Sequence, residues 1–394
     1  MTRTKKSKPG HKQREEKKLA AAAAQANSTG GPIDAASLIE KAHILLGQSN
    51  FELAVKFLDR ALELQPTNLE ARELVGIAEL EAGDEDRGRE HLLKLFPPNV
   101  PESPSHPSPY LYLAQCAKEA QEALGYYSTA TAMLEKSIAD KDRKGKGKQD
   151  SIADEPEDFD EERQMAVTAL VAMIEIWMSD LCFEPAAEKN CDDLIQRALS
   201  ISPNDQEVKL TLASIRMSQS RFDDAKEVVV SLYNDLEGRE PFDPTLPALP
   251  ARLSLSRLLL EHSKHLEALD ILSTVREEDS LNVEGAYLEG WAFYLRAEAI
   301  KENPGLLKPT STAVETKEVI EGEAEDGEPM TIEECLSESM RSLIECARLY
   351  ADQDYEDEGI GSHVAELLVE LEKNGVVPAI HEDEEDDDGD VEMA

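Results

Sequence analysis

The sequence is short of most of what marks a catalytic, membrane-spanning or disulfide-stapled chain. Aromatic residues make up only 5% of its 394 positions, and no apolar run approaches a membrane span, which needs roughly 20 residues. Met1 to Lys18 is lysine-rich with no apolar stretch behind it, so it does not read as a secretory signal. There are five cysteines, Cys116, Cys182, Cys191, Cys335 and Cys346. Their spacing matches neither a metal knuckle nor a redox pair, which points to a reducing compartment and no disulfide framework. Positive charge is scarce as well, with 41 Lys and Arg against 82 Asp and Glu and a net charge of −41. Such a surface repels phosphate, so no direct nucleic-acid partner is expected and a basic protein partner fits better.

Catalytic signatures are missing too. Gly145-Lys146-Gly147-Lys148 hints at phosphate binding but lacks the P-loop spacing, the following Ser or Thr and a preceding strand. It reads as a flexible basic linker. His262 and His265 stand three apart with no carboxylate or cysteine pair to complete a metal set, so they read as surface and packing residues. No nucleophile-base arrangement stands out. The expectation is no catalytic residue, no cofactor, no metal and no membrane: a binding protein.

What the chain does have is helical periodicity and self-similarity. Ala54 is followed by Ala61 at seven residues and by Pro66 at twelve, and Cys191, Ala198 and Pro203 repeat that spacing. Ala225 with Leu232, Ala268 with Val275 and Ala130 with Ser137 keep the interval of seven. Three residues ahead stands a ring, in Phe51, Tyr127, Phe222 and His265, and twelve ahead a small residue, in Ala42, Gly76, Ala213 and Ser256. From Ala42 to Gly76 and from Ala54 to Gly88 the offset is 34, the period of a tetratricopeptide (TPR) helix pair. Small residues let two backbones approach, a large one between them (Leu58, Ile195, Leu272) fills the gap to the next repeat, and proline stops the second helix. One pair cannot bury its apolar face alone, so the stack folds as a unit. The predicted fold is all-α: a right-handed superhelix of about seven TPR pairs starting near 33, 69, 107, 163, 206, 250 and 283, closed by a capping helix over Gly361 to Lys373.

Composition sets the predicted boundaries. Residues 1–31 read as a disordered basic arm, 32–379 as the superhelix and 380–394 as a disordered acidic tail, with disordered insertions near 140–160 and 303–329. Lys5, Lys6, Lys8, Lys12, Arg14, Lys17 and Lys18 in the arm form a candidate nuclear-import signal, and an import receptor would then be a second partner.

A partner would sit on the concave face, lined mainly by first helices. Counting along the repeats puts Glu70, Glu73, Glu175, Glu207 and Glu284 there, followed by the aromatic stripe Tyr287, Trp291 and Tyr294. The stripe is either a wedge against the neighbouring pair or an anchor for an extended peptide. At the two positions where chaperone-tail clamps carry Lys and Asn, the first repeat has Ile39 and His43, so no carboxylate clamp is expected and a cationic client is.

The basic start Lys5-Lys6-Ser7-Lys8-Pro9-Gly10-His11-Lys12, the segment Asp180 to Glu188, Gly290-Trp291 and the acidic tail resemble the assembly chaperones dedicated to large-subunit ribosomal protein four. That resemblance spans essentially the whole chain. It implies a non-enzymatic protein that captures newly made ribosomal protein four, shields its basic internal loop and escorts it from cytoplasm to nuclear pre-ribosome assembly. The competing reading is another acidic TPR protein, a histone chaperone or a scaffold subunit of a multiprotein complex. The acidic runs at 150–162 and 315–328 are short and interrupted, which favours the ribosomal client.

Overall fold

Side-chain caps start several of the helices. In a computed structural model of the chain, residues 34–145, 157–307 and 330–379 are described. The first helix, α1 (Ala35–Leu46), opens at Asp34, whose carboxylate accepts from the Ser37 amide at 2.9 Å. Asn68, Asp84, Asp205 and Asn282 cap their helices in the same way, each satisfying an otherwise orphaned amide. Thr331 and Glu334 form a reciprocal capping box.

The remaining helices follow in chain order. They are α2 (Phe51–Leu64), α3 (Leu69–Glu81), α4 (Glu85–Leu93), α5 (Ser108–Gln115), α6 (Ala120–Gly145), α7 (Glu157–Met178), α8 (Ala187–Ile201), α9 (Gln206–Ser218), α10 (Phe222–Asn234), α11 (Leu249–Glu261), α12 (His265–Glu278), α13 (Val283–Glu302), α14 (Ile332–Asp352) and α15 (Glu358–Lys373). No strand occurs among the described residues. In sequence order the described helices start close to the predicted positions and are consistent with helix pairs followed by a final helix. The capping helix begins three residues earlier than predicted, at an Asp357 N-cap.

Repeat spacing translates directly into packing. Ala42, Ala54, Leu58 and Ala61 are fully buried, as are Ala130, Ile195, Ala198, Ala213, Ala225, Ala268 and Leu272. Each large aliphatic side chain taken out of water contributes on the order of 1.5–3 kcal/mol. In the second pair the backbones approach so closely that a Cβ at Gly76 would stand 2.8 Å from the Leu92 side chain, and one at Gly88 would stand 2.8 Å from the Gly76 carbonyl oxygen. Turn chemistry recurs as well. Ser49, Gly83, Ser220 and Ser263 each lie two residues before a second helix and have positive φ, at 54°, 90°, 58° and 57°, which lets the chain reverse within one tight loop.

The described residues form two compact units, dividing between Ile176 and Trp177 in the last turn of α7. In the first, Ala35, Leu38, Leu58 and Val75 belong to one core and Leu92, Leu95 and Leu113 to another. In the second, one core runs from Leu210 through Leu259 and Leu272 to Ala292, and another joins Ala286, Leu343, Val364 and Leu371.

The insertion predicted near 140–160 is shorter than composition suggests, because helix enters it from both sides. Lys141 pairs with Glu162 at 2.9 Å, and Arg163 with Asp142 at 2.9 Å. Opposite charges at the ends of α6 and α7 thus hold a stretch too polar to pack on apolar contacts alone. At the second insertion, 304–307 form a single 3-10 turn whose Leu306 carbonyl accepts from Arg296. The predicted basic arm, the acidic tail and residues 146–156 and 308–329 lie outside the described residues.

Candidate functional site

The sequence-predicted site residues fall into two sets, one in each unit. In the first unit, Glu70 and Glu73 stand one turn apart on α3. Glu70 Oε1 is 3.4 Å from His43 Nε2 of α1, and both side chains are more than half exposed, at 63% and 53%. Glu73 is only 17% exposed. Its carboxylate lies 2.9 Å from His106 Nε2 and accepts from the Ser108 hydroxyl at 2.9 Å. Successive pairs are therefore bridged along this face by polar contacts. Ile39, counted with His43 on the face, is instead a core residue at 5% exposure, because its side chain turns toward α2 and α3.

Further along the same unit, Leu111 and Gln115 of α5, Tyr127 of α6 and Glu161, Gln164, Met165 and Thr168 of α7 line a hollow of about 390 Å³. Burial pushes the Tyr127 phenol above its ordinary range, and the Glu175 carboxylate adds to the shift. Glu175 itself is exposed on α7. The hollow is mainly apolar with Glu161 as its one lining carboxylate, a shape and chemistry suited to an aliphatic or aromatic side chain.

In the second unit, Glu207 is exposed in the first turn of α9. Glu284, in the first turn of α13, is ion-paired with Arg257 of α11 and is 17% exposed. The aromatic stripe is half-buried. Trp291 and Tyr294 stack with centroids 5.6 Å apart, and Trp291 meets the His363 ring edge-on at 4.6 Å. Tyr287 Oη is 2.8 Å from His363 Nδ1, and the Tyr294 hydroxyl donates to Glu370 at 2.9 Å. Burial, with the Glu370 contact second, pushes the Tyr294 phenol up to about 12. The three rings pack against α15. The two tyrosine hydroxyls are engaged by residues 76 positions away, a distance at which no local spacing in the sequence could reveal His363 or Glu370.

Sequence reasoning also missed Arg257, the cation that Glu284 faces, and the pair His106 and Ser108 that occupies Glu73. A tally of carboxylates finds acidic positions but not which of them already have partners.

All five cysteines are free, with Cys191, Cys335 and Cys346 buried. Desolvation pushes the thiols of Cys335 and Cys346 up to about 11, far from the thiolate form that nucleophilic chemistry needs. His265 is buried at a ring position of the repeat, and desolvation lowers its pKa. Among the described residues no group of three or more His, Cys, Asp or Glu could hold a metal ion. None of their helices is long and apolar enough to cross a membrane.

No family model matches the sequence. Individual relatives do. The chain is 32% identical over 354 residues to the probable assembly chaperone of rpl4 of Emericella nidulans, covering 86% of this chain and 82% of the relative. It is 30% identical over 277 residues to the probable assembly chaperone of rpl4 of Schizosaccharomyces pombe, covering 70% of this chain and 72% of the relative. Among solved structures, residues 1–338 of Acl4, an assembly chaperone of RpL4, superpose with a TM-score of 0.59 at 28% identity, over 69% of this chain and all of that one.

Proposed function

The chain belongs to the family of assembly chaperones of rpl4, and on that premise we propose that it binds newly made ribosomal protein four, shields a basic extended segment of it, and escorts it from cytoplasm to nuclear pre-ribosome assembly. The relationship over most of the chain carries the reading. The physical chemistry agrees with it. A chain with net charge −41 stores self-repulsion that a Lys- and Arg-rich client relieves, and its field speeds encounter with such a client.

The client lies along first-helix faces, with Glu70, Glu73, Glu175, Glu207 and Glu284 supplying negative potential. Tyr287, Trp291 and Tyr294 support this surface in the second unit by holding α15. An exposed ion pair contributes on the order of 0.2–1 kcal/mol, whereas nanomolar affinity needs about 12. Charge alone is therefore insufficient. Apolar anchors, for which the hollow beside Tyr127 and Met165 is suited, carry the rest. The chain acts without catalysis, cofactor, metal, membrane or direct nucleic-acid contact. The arm residues Lys5, Lys6, Lys8, Lys12, Arg14, Lys17 and Lys18 engage an import receptor.

Affinity purification of the tagged chain with mass spectrometry tests the reading. Ribosomal protein four recovered as the dominant partner supports it. Histones, or a stable multisubunit complex without that protein, would instead make this an acidic TPR histone chaperone or a scaffold subunit.

A further inference from the structure

Among the described residues the array ends on half a repeat. In α1, α3, α9, α11 and α13 the eighth residue is small: Ala42, Gly76, Ala213, Ser256 and Gly290. All five are buried, and the contacts show what buries them. A Cβ at Gly76 would meet Leu92 and Gly88 of α4, and one at Gly290 would meet Leu343 of α14. The eighth residue of α15 is Ala365, again small, yet exposed. Helix α15 also packs on the preceding pair as a first helix does, through His363 and Glu370 against the rings of α13. It has no second helix among the described residues.

Where that helix would lie there is a hollow of about 390 Å³, lined by Ala347 and Tyr350 of α14 and by Gly361, Ser362, Ala365 and Leu368 of α15. Gly361 leaves room for the Tyr350 ring, which a Cβ there would approach to 2.9 Å. Val369 of α15 and Ile344 of α14 add exposed aliphatic surface, at 64% and 44%. A terminal repeat is expected to turn a polar outer face to water, and this one keeps an apolar groove.

Charge selects the occupant. From Ile332 to Lys373 there are twelve carboxylates against Arg341, Arg348 and Lys373. A second copy would set that excess against itself. The chain's own end, His381 to Ala394, repeats the same charge and offers only Val391 and Met393 as large apolar residues. The geometry points to a cationic amphipathic helix of a protein partner that completes the terminal repeat. Its apolar side follows the second-helix spacing of Ala54, Leu58 and Ala61, its small residue seats on Ala365, and its outer face is rich in Lys and Arg. The mode is helix-in-groove recognition, independent of which client the first-helix faces hold.

The probe is a lysine-rich peptide of about 18 residues, long enough to hold a helix, with alanine, leucine and alanine at the spacing of positions 54, 58 and 61. Its binding to the full chain is read by fluorescence anisotropy. Saturable binding is expected, weakened about tenfold or more by Ala365→Trp and by Ser362→Trp, two exposed positions where the added ring fills the groove without touching the core. The same peptide with Glu for Lys should not bind. Three results would overturn the proposal. One is equal affinity for both tryptophan variants and the parent. Another is a concentration-dependent dimer abolished by Ala365→Trp, which would make a second copy the occupant. The third is binding seen only after residues 1–31 are removed, which would make the arm the occupant.

Discussion

Two first-helix carboxylates, Glu70 in the first unit and Glu284 in the second, meet opposite surroundings. Glu70 meets His43 and stays mostly in water, although Glu73, one turn on, is engaged by His106 and Ser108. In the second, Glu284 is held by Arg257 and Glu370 accepts from Tyr294 beneath the last helix. Glu70 leaves its charge available to a partner, whereas Glu284 and Glu370 use theirs to hold helices together. Carboxylates that look equivalent along a repeat thus differ in what their loss would do. Substitution of Glu284 should register mainly as stability, and substitution of Glu70 mainly as binding.

The largest expected effect sits beneath both faces. Leu58→Ala in the first unit and Leu272→Ala in the second each empty a fully buried site and should cost about 2–5 kcal/mol by urea denaturation. Equal losses are expected, since the repeat position is the same. A loss under about 1 kcal/mol at either would show that the packing register is wrong there.

Next comes Trp291→Ala, which removes the ring between Tyr294 and His363. Large aromatic truncations cost about 3–5 kcal/mol when fully buried, and a half-buried ring should fall toward the low end. The variant should lower thermal stability and loosen α15 in hydrogen exchange. Full stability combined with lost client capture would return Trp291 to the role of peptide anchor and erase the contrast between the units.

Charge reversal sharpens the contrast from the other side. Glu70→Lys should leave helicity and melting temperature nearly unchanged while weakening capture of ribosomal protein four by up to about fivefold, the equivalent of one exposed pair. Glu284→Lys should destabilise through repulsion from Arg257. If the two variants behave alike in both assays, the two carboxylates are not distinct.

The smallest effect concerns pH. Burial lowers the pKa of His265 in the folded state, so the unfolded chain binds the proton more readily. The residue's contribution is therefore fully present above its unfolded pKa of roughly 6.5 and is lost as pH falls below it. His265→Phe, the ring found at Phe51 and Phe222, should reduce the fall in urea midpoint between neutral and mildly acidic pH. An unchanged pH slope would mean that other groups set it.

How much was legible in the sequence follows from the range of the interactions. Ala54, Leu58 and Ala61 share one helix face, so spacing alone exposes the pairing, the burial and the approximate helix starts. The close approach of Gly76 to Gly88 follows from the same twelve-residue interval. Serines at left-handed turn positions were not legible, since Ser220 and Ser263 resemble any loop serine until the repeat register places them two residues before a helix. The extra helix at the ends of α6 and α7 was missed because composition reads Lys141 and Glu162 as solvated, whereas across the gap they neutralise each other. Site chemistry was legible only as a sign of charge. Which carboxylates are occupied depends on contacts such as Glu284 with Arg257, 27 residues apart, and Tyr294 with Glu370, 76 apart, and no periodicity reports those.

The central claim is that an anionic face holds a positively charged segment of ribosomal protein four. Its most direct test is a titration of the purified chain with that protein across a range of salt. Screening shortens to a Debye length of about 8 Å at physiological ionic strength, so affinity should fall steeply as salt rises and Glu70→Lys should flatten the slope. Affinity indifferent to salt, or no binding to ribosomal protein four at any salt, would contradict it.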